Sequence, residues 1–317
     1  MYGIKPDIAI DLPETMFCLE DYEKVAAKWC PGCGDHSVLT SVQKLCRDEQ
    51  LDPAKTVFVS GIGCSSRFPH YMKTYGFHGL HGRAFPVACG IKYRRPDLNV
   101  FVITGDGDCC SIGAGAWVHA VRYNMNMTVM LFNNEIYGLT KNQTSPTSRV
   151  GTKSNTSPYG SVIPPINPVQ TTLGISNVSF VAQTVDWNPP HMMATLRAAY
   201  EHKGFSFVHI LQRCPKFQSG LVEKFTAMKD DIILFNHEDG VQVDDTIKRS
   251  FKNSIDHDPS DINAGRKFAE EKGKVYLGTF YKNPDAVRYD EYGAHNVGFT
   301  VEEKMDALEK ELDKYSV

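Results

Sequence analysis

The chain has 317 residues, 42% hydrophobic and 22% charged, with 34 basic and 37 acidic side chains giving a formal charge of −3. That length fits one large α/β domain or a core with an appendage, and the slightly acidic balance, with no long basic run, argues against a nucleic-acid-binding surface. No apolar run approaches the roughly 18 residues that span a bilayer, and Met1–Asp11 lacks a continuous apolar segment of the signal-peptide kind, so the expected location is the cytoplasm, away from membranes.

Residues 1–28 read as an irregular arm with Pro6 and Pro13. Trp29-Cys30-Pro31-Gly32-Cys33-Gly34 follows, and Asp35–Asp48 then reads as a helix, capped by Asp35, with Val38, Val42 and Leu45 on one face. Thr56–Ser60 is a β-rich run stopping at Gly61, a strand that feeds the loop Ile62-Gly63-Cys64-Ser65. Asn99–Thr104 is a second apolar run, ending at Gly105-Asp106-Gly107-Asp108; such runs suit parallel strands buried on both faces. Residues 111–124 fit a helix despite Gly113 and Gly115, and Met127–Phe132 is the next strand, ending at Asn133-Asn134. Residues 144–177, rich in Ser, Thr, Pro, Gly and Asn, read as a long loop of the functional kind. Strand, helix and strand recur at Ser179–Val185, Pro190–His202 and Phe205–Leu211, with Cys214 just beyond. The alternation predicts an α/β fold with a doubly wound, mostly parallel sheet, and the motifs fall past strand ends, where such sheets bind ligands. After about residue 220 charge density rises and strand signals weaken, while Thr300–Tyr315 reads as an amphipathic helix. The expected organisation is an arm (1–28), an α/β core (29–220) and an extension (221–317) packed on the core and a partner.

A bound diphosphate needs close backbone N–H donors, which glycines permit, and its Mg²⁺ needs hard oxygen ligands. Asp106 can give a carboxylate oxygen and Asn134, 28 residues on, an amide oxygen, with the Ile136 carbonyl as a third ligand. A strand–helix–strand crossover of this length brings the two strand ends together. Gly-Asp-Gly alone is a common turn; the Asn pair after a second apolar strand makes the pattern specific. Nine cysteines are many for such a chain, and they are neither an even set nor in a small secreted domain, as a disulfide framework requires. Cys18, Cys46 and Cys89 read as structural filler. Cys30, Cys33, Cys64 and Cys214 leave two readings open, a [4Fe–4S] cluster and a four-thiolate zinc site.

The Gly-Asp-Gly…Asn-Asn pattern, continued by Tyr137-Gly138-Leu139-Thr140-Lys141-Asn142-Gln143, resembles the diphosphate-binding half of thiamine diphosphate enzymes. With Trp29–His36 and Gly79-Leu80-His81-Gly82-Arg83-Ala84 the whole set resembles the β subunit of 2-oxoacid:ferredoxin oxidoreductases, from residue 29 to about 220 and more weakly through His257–Asp261 and Arg288–Glu291. The resemblance implies one [4Fe–4S] cluster on Cys30, Cys33, Cys64 and Cys214, and thiamine diphosphate with Mg²⁺ held by Asp106, Asn134 and Ile136. It implies cofactor contacts from Ile62, Gly63, Cys64, Ser65, His81, Gly105, Gly107, Asp108, Tyr137, Gly138 and Leu139. Arg67 stands near enough to bind a 2-oxoacid carboxylate, or else holds local loop carbonyls; Lys141 meets an anionic substrate or coenzyme A, or else solvent. The implied reaction is the coenzyme A-dependent oxidative decarboxylation of a 2-oxoacid, closest to 2-oxoglutarate, with electrons passing singly through the cluster to ferredoxin. No second α/β domain here can supply the glutamate that activates the cofactor's aminopyrimidine. An α subunit is therefore the implied partner, in a dimer of αβ heterodimers. A pyruvate or broad-specificity enzyme, a non-oxidative thiamine enzyme and a zinc-stabilised scaffold are the alternatives. The non-oxidative enzyme leaves the cysteines unexplained, and the scaffold leaves the Gly-Asp-Gly…Asn-Asn pattern unexplained.

Overall fold

The computed structural model describes residues 16–220, 230–292 and 300–315; Pro6 and Pro13 of the expected arm lie outside them. Among the described residues nine strands form one sheet: β1 (Thr56–Ser60), β2 (Tyr75–His78), β3 (Asn99–Gly105), β4 (Met127–Asn133), β5 (Phe180–Val185), β6 (Phe205–Leu211), β7 (Ile232–Asn236), β8 (Asn253–Asp256) and β9 (Val275–Lys282). Their order is β8-β7-β9-β5-β6-β4-β3-β1-β2. The six strands from β5 to β2 are parallel, whereas β9 joins β5 antiparallel and carries β7 and β8 parallel to itself. Every position of β4, β5 and β6 is buried, the condition of central strands covered on both faces.

The helices divide between those faces. On one, α1 (Asp35–Asp48) packs on α5 (Pro189–Glu201), enclosing Phe58, Phe68, Phe101, Phe132 and Leu196. On the other, α2 (Ala84–Arg94), α3 (Ala114–Tyr123) and α4 (Pro168–Leu173) cover Phe85, Trp117, Phe205 and Phe207. Each such side chain contributes about 1.5–3 kcal/mol of burial. Beyond residue 220 lie α6 (Asp245–Arg249), α7 (Ile262–Glu270, packed on β9), α8 (Tyr289–Tyr292) and α9 (Val301–Asp313). Strand β2 lies outside β1, while β3 lies on β1's other side, so the winding reverses between β1 and β3. The crevice beyond the carboxyl ends at such a reversal is where this architecture binds ligands.

Several expectations meet structure that differs from them. Helix α3 starts at Ala114 because Asp108–Ile112 makes a wide turn with Ser111 at non-helical angles (φ −105°, ψ −108°). Gly113 is pressed there against Gly82, with room for no side chain. Gly34, not Asp35, occupies the cap of α1, held against Asp186. The loop 144–177 contains α4, whose first turn is closed by Asn167 accepting from the N–H groups of Val169 (3.1 Å) and Gln170 (3.2 Å), with Pro168 at the first position. The charged region after 220 supplies three strands to the sheet, tied in by Leu234 and Leu277 packing on Val185 and Leu211. Cys46 is buried and Cys89 half-buried, but Cys18 is exposed, its thiol donating to Asp21 at 3.2 Å.

Candidate functional site

The loops after β1, β3 and β4 enclose a cleft of about 480 Å³, in the range of small-ligand sites. Asp106, at the end of β3, is buried; its Oδ2 accepts from the hydroxyls of Ser145 (2.5 Å) and Thr147 (2.6 Å). Burial pushes its carboxyl up to about 6, with both hydroxyl bonds pulling the other way. Asn134, at the end of β4, accepts from the Ile136 N–H at 3.1 Å, and the intervening Glu135 is left-handed (φ +60°). Glu135 is held there by the Asn133 side chain, by the Ser148 hydroxyl on its carbonyl and by an ion pair with Arg149 at 2.8 Å.

Gly107 has the Tyr137 ring where a Cβ would stand, and the Tyr137 hydroxyl donates to the Gly107 carbonyl at 3.1 Å. No larger residue fits, so the turn's backbone stays open to the cleft. Asp108 is a knot between loops: its carboxylate accepts from the N–H of Ile62 (3.1 Å) and Gly82 (2.7 Å) and the Thr104 hydroxyl (2.8 Å), and meets His81 Nδ1 at 2.8 Å.

Of the four singled-out cysteines Cys64 lines the cleft, and backbone and side-chain bonds tie the segments that carry the others beside it. Gly34 N–H donates to the Arg213 carbonyl at 3.1 Å, joining the Cys30–Cys33 turn to the segment before Cys214, and Trp29 Nε1 donates to the Cys64 carbonyl at 2.7 Å. Gln212 Nε2 reaches Cys33 Sγ at 3.3 Å. A Cβ on Gly138 would stand 3.6 Å from Cys64 Sγ and 3.8 Å from Cys214 Sγ, so both sulfurs face one bare turn. Burial pushes the Cys64 thiol up to about 12, with Asp35, Cys214 and Cys30 adding to it, and raises those of Cys33 and Cys214 as well. Thiols so placed ionise when a metal charge compensates them. All four are free of disulfides, a donor set that fits an iron–sulfur cluster. Asp106, Asn134 and the Ile136 carbonyl offer the oxygens that fit a hard divalent cation. Among the described residues no three His, Cys, Asp or Glu side chains stand close enough together to hold one ion.

The cleft gathers Ile62, Gly63, Cys64, Ser65, His81, Gly105, Asp106, Gly107, Asp108, Asn134, Ile136, Tyr137, Gly138 and Leu139, all singled out from sequence. It adds Phe132, Thr140, Gln143, Thr144 and Thr156, which sequence reasoning missed, as it missed Ser145 and Thr147 on Asp106. Phe132 ends a predicted strand, and Thr140 and Gln143 lie in the Tyr137–Gln143 pattern without being singled out; for Thr144, Ser145, Thr147 and Thr156 the only signal was the Ser/Thr-rich stretch after residue 143. Arg67 and Lys141 do not line the cleft. Arg67 donates to the Lys28 carbonyl at 3.0 Å beside the Tyr71 ring, and Lys141 is exposed at the left-handed tip (φ +72°) of the hairpin between Ile136–Tyr137 and Gln143–Thr144.

Residues 61–210 match the family described as thiamine pyrophosphate enzyme, C-terminal TPP binding domain. The chain is 49% identical over 204 residues to the 2-oxoglutarate oxidoreductase subunit KorB of Mycobacterium tuberculosis, a match covering 64% of this chain and 54% of that protein. It is 38% identical over 273 residues to 2-oxoacid:ferredoxin oxidoreductase 1, subunit beta, of Aeropyrum pernix, covering 84% and 81%. Among solved structures, 2-oxoglutarate:ferredoxin oxidoreductase from Magnetococcus marinus with 2-oxoglutarate, coenzyme A and succinyl-CoA bound superposes with a TM-score of 0.77 and 35% identity, over 94% of this chain and 97% of that one.

Proposed function

Because the chain belongs to the 2-oxoacid:ferredoxin oxidoreductase β-subunit family, we propose that it binds thiamine diphosphate, Mg²⁺ and one [4Fe–4S] cluster in the coenzyme A-dependent oxidative decarboxylation of a 2-oxoacid. 2-Oxoglutarate is the substrate we favour, because it is named with the M. tuberculosis and M. marinus relatives. When bound, the thiamine cofactor supplies a nucleophilic carbon and an electron sink, and the cluster a one-electron acceptor.

The chain's own residues bind, orient and exclude water. Asp106, Asn134 and the Ile136 carbonyl hold the cation, and the Gly105–Asp108 turn presents its backbone to the diphosphate. Tyr137 clamps that turn through the Gly107 carbonyl, while Asp108 locks the Ile62 and Gly82 loops around it. Ile62, Phe132 and Leu139 give the cleft an apolar wall that, once covered by a partner subunit, would keep water from the reacting centre.

The observation that carries this reading is the position of Cys64. It lines the cleft, and its sulfur faces the same bare turn as that of Cys214. Electron donor and acceptor would be held by one loop. Exposed Leu80, Ile112 and Leu139 beside the cleft fit cover by an α subunit, which would bring the activating glutamate. Nine free cysteines suit a reducing cytoplasm, and among the described residues no helix is long and apolar enough to cross a membrane.

Anaerobically purified chain should carry about four irons and four acid-labile sulfides, with an EPR signal after dithionite. Co-expressed with its α subunit it should turn over 2-oxoglutarate with coenzyme A and ferredoxin, and alone it should be inactive. One zinc per chain, or no metal at all, would remove the electron acceptor and overturn the proposal.

A further inference from the structure

The side chain of Asn133, next to the cation-holding Asn134, ends a buried polar chain that begins in the extension. The backbone carbonyl of Tyr276 on β9 accepts from Gln183 Nε2 at 2.7 Å. A carbonyl only accepts, so the amide oxygen of Gln183 must face the other way, towards His209 Nδ1 at 2.6 Å. That nitrogen therefore carries the hydrogen. His209 is enclosed within β6, and burial pushes its pKa down to about 3, so at neutral pH the ring holds a single proton. Its Nε2 is then an acceptor, taking a hydrogen from Asn133 Nδ2 at 2.9 Å.

One consequence is that Asn133 Oδ1 points away from His209. It accepts from the Glu135 N–H at 3.1 Å and shares the single hydrogen of the Thr147 hydroxyl, 2.9 Å away, with Asp106 Oδ2, 2.6 Å from that hydroxyl. Glu135 is the left-handed residue between Asn134 and Ile136. A non-glycine residue keeps such a conformation only where its neighbours over-determine it. The opposite His209 tautomer would turn the Asn133 amide over and set its NH₂ against the Glu135 N–H.

We propose that His209, backed by Gln183, is a positioning residue for the divalent cation: by orienting the Asn133 amide it sets the Glu135 turn and Thr147, and through them the oxygens of Asn134, Ile136 and Asp106. The inference rests on reading those oxygens as cation ligands. It also gives the extension a part in the site, since β9 supplies the carbonyl that orients Gln183.

The test is calorimetric titration of Mg²⁺ into the αβ complex, stripped of cation and supplied with excess thiamine diphosphate. His209→Asn keeps an N–H near Nδ1 for Gln183 but loses the acceptor for Asn133. His209→Gln reaches Asn133 with an amide oxygen and releases Gln183. Gln183→Met frees the tautomer. The Mg²⁺ Kd should rise about 10–100-fold in H209N and about tenfold in Q183M, yet stay within about threefold of wild type in H209Q. A role in packing alone would lower the melting temperature of both His209 variants without separating their Kd values. If H209N does not fold, Q183M decides the matter. An unchanged Kd in the folded variants, or H209Q as impaired as H209N, overturns this inference alone; a wild type without cation-dependent binding overturns the proposed function with it.

Discussion

His191 lies wholly inside the molecule on α5, with Nδ1 2.8 Å from the Thr184 hydroxyl. Burial, reinforced by nearby His237, pushes its pKa from 6.5 down to about 3. Between those values the unfolded chain binds a proton that the folded chain refuses, so the histidine's share of stability is complete above pH 6.5 and is lost as pH falls towards 3. At about 1.4 kcal/mol per pH unit the loss reaches about 2 kcal/mol by pH 5. The stability of wild type relative to His191→Leu, measured by denaturant unfolding, should therefore fall by about 2 kcal/mol from pH 7 to pH 5; no change would mean that His191 takes up its proton in the fold as readily as in the unfolded chain. The site's residues differ in legibility for a related reason. Asp106 and Asn134 stand out because a carboxylate and an amide close two otherwise apolar strands. Ser145 and Thr147 sit in a run of hydroxyl residues, where nothing local distinguishes the two that reach Asp106.

Elements with a plain burial pattern, two-sided in a strand or one-faced in a helix, are the ones that read clearly. β1 and α1 have the bounds that composition and period predict, and β3, β4, β5 and β6 end within a residue of theirs. β2 escaped notice because all four of its residues are exposed at the sheet's edge, leaving no burial pattern to read. Helix α9 is the reverse case: its period is plain, yet no residue in it is buried, and Val301, Met305, Leu308 and Leu312 all face solvent. A reciprocal cap holds its start, with the Glu303 N–H on the Thr300 hydroxyl at 3.2 Å and the Thr300 N–H on the Glu303 carboxylate at 2.7 Å. The helix thus draws stability from its own turns. Ending the chain after residue 299 should shift the melting temperature by less than about 2 °C, corresponding to under 1 kcal/mol; a larger fall would show that α9 is packed against the body of the protein.

At the scale of the molecule, β9 closes the sheet. Its antiparallel pairing covers the edge of β5, and Ile232, Leu234 and Leu277 complete the core around Val185 and Leu211. Cutting the chain after Gly220 would leave β5 with unpaired backbone groups and a bare apolar flank, the circumstances in which strands associate edge to edge. The fragment 1–220 should elute as aggregate in size-exclusion chromatography; a monodisperse fragment with a cooperative melt would show that the core closes without β9. The parallel α/β core and the candidate ligands were legible in the sequence alone, because period, apolar runs and punctuating glycines are local properties of the chain. Tertiary structure alone decided how the charged extension adds to the sheet, which hydroxyls reach Asp106, and that Cys64 and Cys214 face one turn. Those outcomes depend on contacts between residues far apart in the chain, and no local pattern encodes which distant partner a strand edge or a side chain will meet.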